Sequence, residues 1–309
     1  WTTSGNWRTR RCTICHKPQT EYLRPNQTGS SSTNGSSTNG SSTNSTANKN
    51  KKVTSVRITG STSLTAGKST TLKLILGILP PESGTIRVLG KDDLEASPCT
   101  KEDIGVVLSG DGIPTCLTAE QVGKVMAGIY RNWDAGVYAG FCKRFELPAK
   151  KKYNEYSTGM TMKLCLAVAL SHHPKLLLLD EATSGLDPVV RDELIDLLLD
   201  FVRDEDHAIL ISSHIVSDLE KLCDTIAFLH KGRLLLCEDK DTLREEYALW
   251  HGTAAQLEEL APDVVVSQRV TPYGAEALVK RDGVPTGSAL TPVSIEELFV
   301  LMVKGEKNA

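Results

Sequence analysis

Leu176-Leu177-Leu178-Leu179-Asp180-Glu181-Ala182-Thr183-Ser184-Gly185-Leu186-Asp187-Pro188 is the stretch that decides the fold. Four leucines between Pro174-Lys175 and an acidic pair read as a short strand buried on both faces, as in a parallel sheet. Such a strand carries Asp180 and Glu181 to its C-terminal end, where open α/β sheets bind ligands. Taken alone, the pair reads equally well as two solvated acids. Its surroundings favour a site. A second apolar run, Ile209-Leu210-Ile211-Ser212-Ser213, ends on His214. Asp180 suits a Mg²⁺ ion held partly through water, and Glu181 suits a group that orients or deprotonates an attacking water.

Upstream, Gly67-Lys68-Ser69-Thr70 opens a helix expected over 68–79 and stopped by Pro80-Pro81. Backbone N–H groups at a helix start, a lysine for the outer oxygens and a hydroxyl for Mg²⁺ are what a phosphate-binding loop needs. The full pattern places a glycine five residues before Gly67. Thr62 stands there, Gly60 comes two residues too early, and Thr65 holds a position where a glycine is common. Tyr156-Ser157-Thr158-Gly159-Met160 opens another helix, expected over 159–171, whose free N–H groups form a second anion site.

In order and spacing, the stretch from about Ala66 to Glu246 resembles the ATP-binding subunits of ABC transporters. It is most similar to the bacterial export-type subset that works with a separately encoded membrane protein. The run Asp180–Pro188 falls on the Walker B and D-loop segment, His214 on the switch histidine, and Ser157 and Gly159 on the signature loop. The resemblance implies a P-loop NTPase-like α/β fold: a parallel-sheet core with a helical subdomain carrying the signature loop. It implies Glu181 and His214 as catalytic groups. Gly67, Lys68, Ser69, Thr70, Asp180, Ser157, Gly159 and Asp187 would bind nucleotide, with Ser69 and Asp180 at Mg²⁺. ATP and Mg²⁺ are the implied cofactors. The implied partners are a second copy or paralogous ATP-binding subunit, joined head to tail, and an integral membrane permease. The implied location is cytoplasmic, on the inner face of the membrane.

Several positions depart from the family pattern. Ser109 stands for the Q-loop glutamine, and Thr158 and Met160 replace a glycine and a glutamine of the signature. The strands and the adenine-stacking aromatic that precede the P-loop have no match; Trp7 and Tyr22 are the nearby aromatics. A nucleotide-binding regulatory module with lost or weak hydrolysis is therefore the alternative reading. A soluble ABC-type ATPase acting on ribosomes or DNA is a third, but those generally carry two cassettes, and this chain has one leucine run closed by Asp-Glu and one signature loop.

The rest of the chain sets the frame. With 309 residues, 24% of them charged, it can bury a sizeable core, and no run of 18 apolar residues occurs. Residues 1–52 hold eight basic side chains and one acid, Glu21, against a net charge of −3 for the whole. The body is thus mildly acidic, which argues against nucleic acid as a partner. Residues 1–52 are expected to be a disordered leader, with Ser-Ser-Thr-Asn-Gly repeats from about Ser31 to Asn44 acting as a linker. The start at Trp1, without Met, suggests a fragment, a processed chain or an imperfect gene model. Eight scattered cysteines suit a reducing compartment. Cys12-Thr13-Ile14-Cys15-His16 has haem-attachment spacing, could form half of a zinc site, and reads best as chance. Triplets at Asn26, Asn34, Asn39 and Asn44 have glycosylation spacing without that context. The ATP-binding domain is expected over 53–243, with its helical subdomain over about 110–172. A small α+β accessory region is expected over 244–309. Strands are expected at 53–59, 85–89, 104–108, 176–179, 208–211, 226–229 and 233–236. Helices are expected at 189–202 and 215–222, and a mainly helical stretch at 119–145. His172 and His173 are read as structural residues and not ligands, at a helix end where a cationic side chain favours the dipole, His230-Lys231-Gly232 as a turn, Trp133 as packing in the helical subdomain, and Leu197–Leu199 as core.

Overall fold

The computed structural model describes residues 11–13, 56–59, 67–81, 83–92, 97–108 and 112–305. The expectations for Thr62, Thr65, Ser109, Trp7, Tyr22, Cys15, His16, the repeat linker and the asparagine triplets lie outside these residues.

In chain order the strands are β1 (Arg11–Thr13), β2 (Val56–Thr59), β3 (Thr85–Val88), β4 (Ile104–Val107), β5 (Leu176–Asp180), β6 (Ala208–Ser212), β7 (Thr225–His230) and β8 (Arg233–Asp239). The last four are β9 (Tyr247–Gly252), β10 (Val265–Thr271), β11 (Gly274–Lys280) and β12 (Ala289–Thr291). The helices are α1 (Lys68–Ile75), α2 (Pro98–Glu102), α3 (Ala119–Ile129), α4 (Ala135–Arg144) and α5 (Thr158–Leu170). They continue with α6 (Pro188–Phe201), α7 (Val216–Leu222), α8 (Lys240–Glu246), α9 (Ala254–Glu258) and α10 (Ile295–Gly305).

The main sheet has six strands in the order β4-β5-β6-β1-β7-β8. All its neighbours run parallel except β7 and β8, which form a hairpin. Its two-residue turn is Lys231-Gly232, both with positive φ, as a tight hairpin requires. The leucine run forms the buried strand expected of it, at 0–2% exposure per leucine. Successive side chains point to opposite faces. Leu176 and Leu178 pack with Leu72 and Ile75 of α1, while Leu177 and Leu179 join the larger core with α5 and α6. Burying one such leucine contributes about 1.5–3 kcal/mol, so this strand anchors both layers.

The leader is not wholly outside the fold. Arg11–Thr13 pairs with Ile209–Ile211 on one side and with Thr225–Ile226 on the other. The slot between β6 and β7 would otherwise leave two rows of backbone donors and acceptors unpaired inside the sheet, and three extended residues fill it. The strand expected at 53–59 is shorter, and it pairs antiparallel with β3 in a separate two-stranded sheet.

Three other expectations need correction. The first helix ends at Ile75, not at the prolines. Gly77 takes φ +70 and closes the end, with the Ile78 N–H donating to the Lys73 carbonyl at 2.9 Å. The helical stretch 119–145 is two helices, because Tyr130 is extended and Asp134 caps the second by accepting from the Val137 N–H at 2.9 Å. His172 is not a cation at a helix end. It is fully buried, stacks on Tyr130 with ring centroids 4.0 Å apart, and its Nδ1 lies 2.9 Å from the Glu102 carbonyl oxygen. Burial pushes its pKa down.

Trp133 packs against Tyr138 in the helical region, and Leu197 and Leu198 are core. Residues after 244 form a four-stranded antiparallel sheet, β10-β11-β9-β12, with α9 against β11. This part shares the main core: α10 places Leu298 in it and Phe299 against Phe228, ring centroids 5.1 Å apart.

Candidate functional site

The C-terminal ends of β5 and β6 lie side by side, with Asp180 opposite Ser212 in register. Asp180 is 1% exposed, and the Ser212 hydroxyl donates to its Oδ1 at 2.5 Å. This fixes the carboxylate's direction, and a buried acid needs such a partner. The Asp-Glu pattern alone did not mark Ser212. The adjacency of two apolar strands that both end in polar residues is the signal that finds it.

Glu181 leaves the strand with φ +53, an unusual conformation for a residue with a side chain. Its N–H donates to the Ser212 carbonyl at 2.9 Å, and its own carbonyl accepts from the Ser184 N–H at 3.0 Å. Those bonds hold the turn, whose backbone strain is roughly 1–3 kcal/mol. The turn swings the Glu181 side chain between two distant parts of the chain. Its Oε1 accepts from Lys68 Nζ at 2.6 Å. Its Oε2 lies 2.5 Å from His214 Nδ1 and accepts from the His214 backbone N–H at 3.3 Å. One carboxylate therefore joins the start of α1, the end of β5 and the loop after β6. The Lys68–Glu181 pair is about a quarter exposed and His214 is 61% exposed, so the cluster opens to solvent on the histidine side.

Gly67 precedes α1 in an extended conformation, with no side-chain cap and no acid in the first turn. A helix start without a cap or a first-turn acid suits an anion. Lys68, Ser69 and Thr70 stand half-buried on this turn. Among the described residues no group of three or more His, Cys, Asp or Glu side chains gathers to hold a metal. A hard cation here would take few protein oxygens, with Asp180 and Ser69 as the donor types available and phosphate or water completing the shell.

The other helix start singled out in the sequence is that of α5. Ser157 caps α5, its hydroxyl accepting from the Met160 N–H at 3.3 Å, and is exposed. Gly159 sits against Val190, at 3.4 Å from an ideal Cβ, and against Leu186. Asp187 caps α6, accepting at Oδ1 from the N–H groups of Val189 and Val190 at 3.1 and 3.0 Å. The structure therefore brings together Lys68, Glu181, His214 and, through Ser212, Asp180. Ser157 and Asp187 are exposed caps of α5 and α6, and half-buried Gly159 packs on Val190 in the first turn of α6.

The sequence was compared with known proteins. A family described as ABC transporter matches residues 47–184. The ATP-binding protein YtrB of Bacillus subtilis is 36% identical over 182 residues, covering 59% of this chain and 62% of YtrB. The bacitracin transport ATP-binding protein BcrA of Bacillus licheniformis is 34% identical, covering 55% of this chain and 56% of BcrA. The chain thus spans less than two thirds of the length of these curated relatives. A longer match joins it to the Nod factor export ATP-binding protein I of Burkholderia lata, 30% identical over 240 residues, covering 76% of this chain and 73% of that one. Among solved structures, an ATP-binding subunit of an ABC transporter superposes with a TM-score of 0.51 at 27% identity, covering 57% of this chain and 75% of that chain. The fold and the sequence matches agree: this chain belongs to the ATP-binding subunits of ABC transporters.

Proposed function

We propose that the chain binds and hydrolyses Mg²⁺-ATP and that this work drives a separate membrane permease. The observation that carries the reading is the contact of Glu181 with both Lys68 and His214. The N-terminal turn of α1, with Lys68, Ser69 and Thr70, binds the triphosphate. Asp180, oriented by Ser212, and the Ser69 hydroxyl would hold Mg²⁺, which would supply positive charge beside the phosphoryl group. Glu181 accepts a hydrogen bond from the attacking water, and His214 holds the carboxylate in place from the other side. Catalysis then rests on positioning and fixed charge.

Ser157 and Asp187 are exposed helix caps, and with Gly159 they serve a site on a second copy or paralogous subunit. Two chains associate head to tail, each completing the other's nucleotide site. The relatives support the transport role: YtrB is an ABC transporter ATP-binding protein, and BcrA is a bacitracin transport ATP-binding protein. Among the described residues no helix is long and apolar enough to cross a membrane, which is consistent with a separate permease. That partner would hold the chain at the inner face of the membrane.

Sedimentation of the Glu181→Gln chain tests the shared site. With Mg²⁺-ATP it is expected to form a dimer, and Ser157→Arg is expected to abolish the dimer while leaving nucleotide binding by the monomer intact. A Glu181→Gln chain that binds ATP yet stays monomeric at high concentration contradicts the head-to-tail arrangement.

A further inference from the structure

Helices α6 and α7 run side by side, and a half-buried ion pair joins their first turns. Asp218 on α7 is 1% exposed. Arg191 on α6 reaches it with a forked contact: Nε donates to Oδ1 at 2.8 Å and to Oδ2 at 2.9 Å, and Nη2 donates to Oδ1 at 2.5 Å. Nη2 also donates to the Ser217 hydroxyl at 3.0 Å. Planar, bidentate pairing fixes direction as well as distance, which a lysine cannot do.

The placement of the two partners gives the pair its meaning. Arg191 lies one helical turn beyond Asp187, and its N–H donates to the Asp187 carbonyl at 3.0 Å. Asp218 lies four residues beyond His214, and its N–H donates to the Ile215 carbonyl at 3.2 Å. The loop between is braced, with the Ile215 N–H donating to the Ser213 hydroxyl at 3.0 Å. One end of each helix thus carries a site residue, and the fork locks the two ends together. A second link, Lys221 to Asp192 at 3.1 Å, joins the same helices, but on their exposed side with no fork.

We propose that Arg191 and Asp218 are positioning residues: their forked pair sets the His214 loop against the Asp187 turn and so keeps His214 on the Glu181 carboxylate. The proposal rests on the ATP-hydrolysis reading only for its kinetic effect. The pair touches no reacting atom. It acts through His214, an exposed residue between buried Ser213 and half-buried Ile215, whose Nδ1 must stay within hydrogen-bond reach of Glu181.

The test compares Arg191→Lys and Asp218→Asn with Lys221→Ala, each assayed well below its own melting temperature. Arg191→Lys keeps the charge and loses the fork. It is expected to lower kcat for Mg²⁺-ATP about ten-fold while KM stays within about two-fold, since Lys68 and its helix are untouched. Lys221→Ala, which breaks only the exposed link, is expected to leave kcat within about two-fold. Asp218→Asn serves as the second variant, and Arg191→Lys alone decides if that one fails to fold. Imidazole NMR supplies a readout that does not need turnover. The His214 resonances, assigned by their loss in His214→Ala, are expected to move in Arg191→Lys and to stay in Lys221→Ala. A lower melting temperature with kcat and the His214 resonances unchanged overturns the proposal and leaves the pair a structural brace. A wild-type chain without turnover counts against the ATPase reading, while the NMR comparison still decides the positioning role.

Discussion

Lys68 Nζ and Glu181 Oε1 meet at 2.6 Å across 113 positions of sequence. The lysine heads α1 and the glutamate directly follows β5, so the contact exists only if sheet and helix are packed as described. Leu72 and Ile75 on α1 and Leu176 and Leu178 on β5 supply that packing from one face of the sheet. The pair is charge-assisted and partly shielded, the class of hydrogen bond worth about 1.5–3 kcal/mol.

Lys68→Ala removes the cation that answers both Glu181 and an incoming phosphate. Its Kd for ATP, measured by calorimetry, is expected to rise at least about ten-fold, as the loss of one charge-assisted bond implies. Folding stability is expected to fall by no more than about 1.5–3 kcal/mol, from loss of the Glu181 contact, because Lys68 lies outside the apolar clusters. An unchanged Kd would mean that the start of α1 does not face the phosphates.

His172 makes stability depend on pH. Burial holds its folded pKa below the ordinary value of 6.5. Above that value it is neutral in both states and contributes no slope. As the pH falls from 6.5 toward the depressed folded pKa, the unfolded chain takes up a proton that the folded chain refuses, so stability declines. The slope from this one group is at most about 1.4 kcal/mol per pH unit. Urea midpoints are expected to drop through that window in the wild type. The decline is expected to be shallower in His172→Phe, which retains the stacked ring against Tyr130.

Gly123 probes the helical region that carries Ser157. A Cβ there would lie 2.6 Å from the Tyr138 ring, whose hydroxyl donates to the Ala119 carbonyl at 2.8 Å. The ring is 6% exposed and packs on Trp133, ring centroids 5.1 Å apart. Gly123→Ala is expected to destabilise the chain by about 1–3 kcal/mol in chemical unfolding, despite alanine's better helix propensity. A neutral or stabilising result would show that α3 and α4 are packed more loosely.

Much of this was legible in the residues. The leucine run showed a doubly buried strand because its hydrophobicity does not alternate, and the acidic pair after it marked the ligand end of the sheet. His214 was found in the same way, as a polar stop to an apolar strand. The convergence of Lys68 with Glu181 followed from the family resemblance and is present in the geometry. What escaped was decided by tertiary packing. Nothing local distinguishes Arg11–Thr13 from its neighbours, since its place depends on a gap between two strands some two hundred residues away in sequence. Gly77 ended α1 ahead of the prolines because a left-handed residue needs no tertiary help. His172 looked like a helix-end cation until Tyr130 and the Glu102 carbonyl enclosed it. The Arg191–Asp218 fork was invisible because each partner is an ordinary helix residue until the two helices are packed together.

Steady-state phosphate release from Mg²⁺-ATP by the wild-type chain and by Glu181→Gln, with ATP binding measured in parallel, tests the centre of this account. The substitution retains the shape and removes the negative charge that joins Lys68 to His214. The expected result is turnover in the wild type, a loss of about a hundred-fold or more in the variant, and ATP binding kept in both. Turnover by Glu181→Gln within about two-fold of the wild type would contradict it.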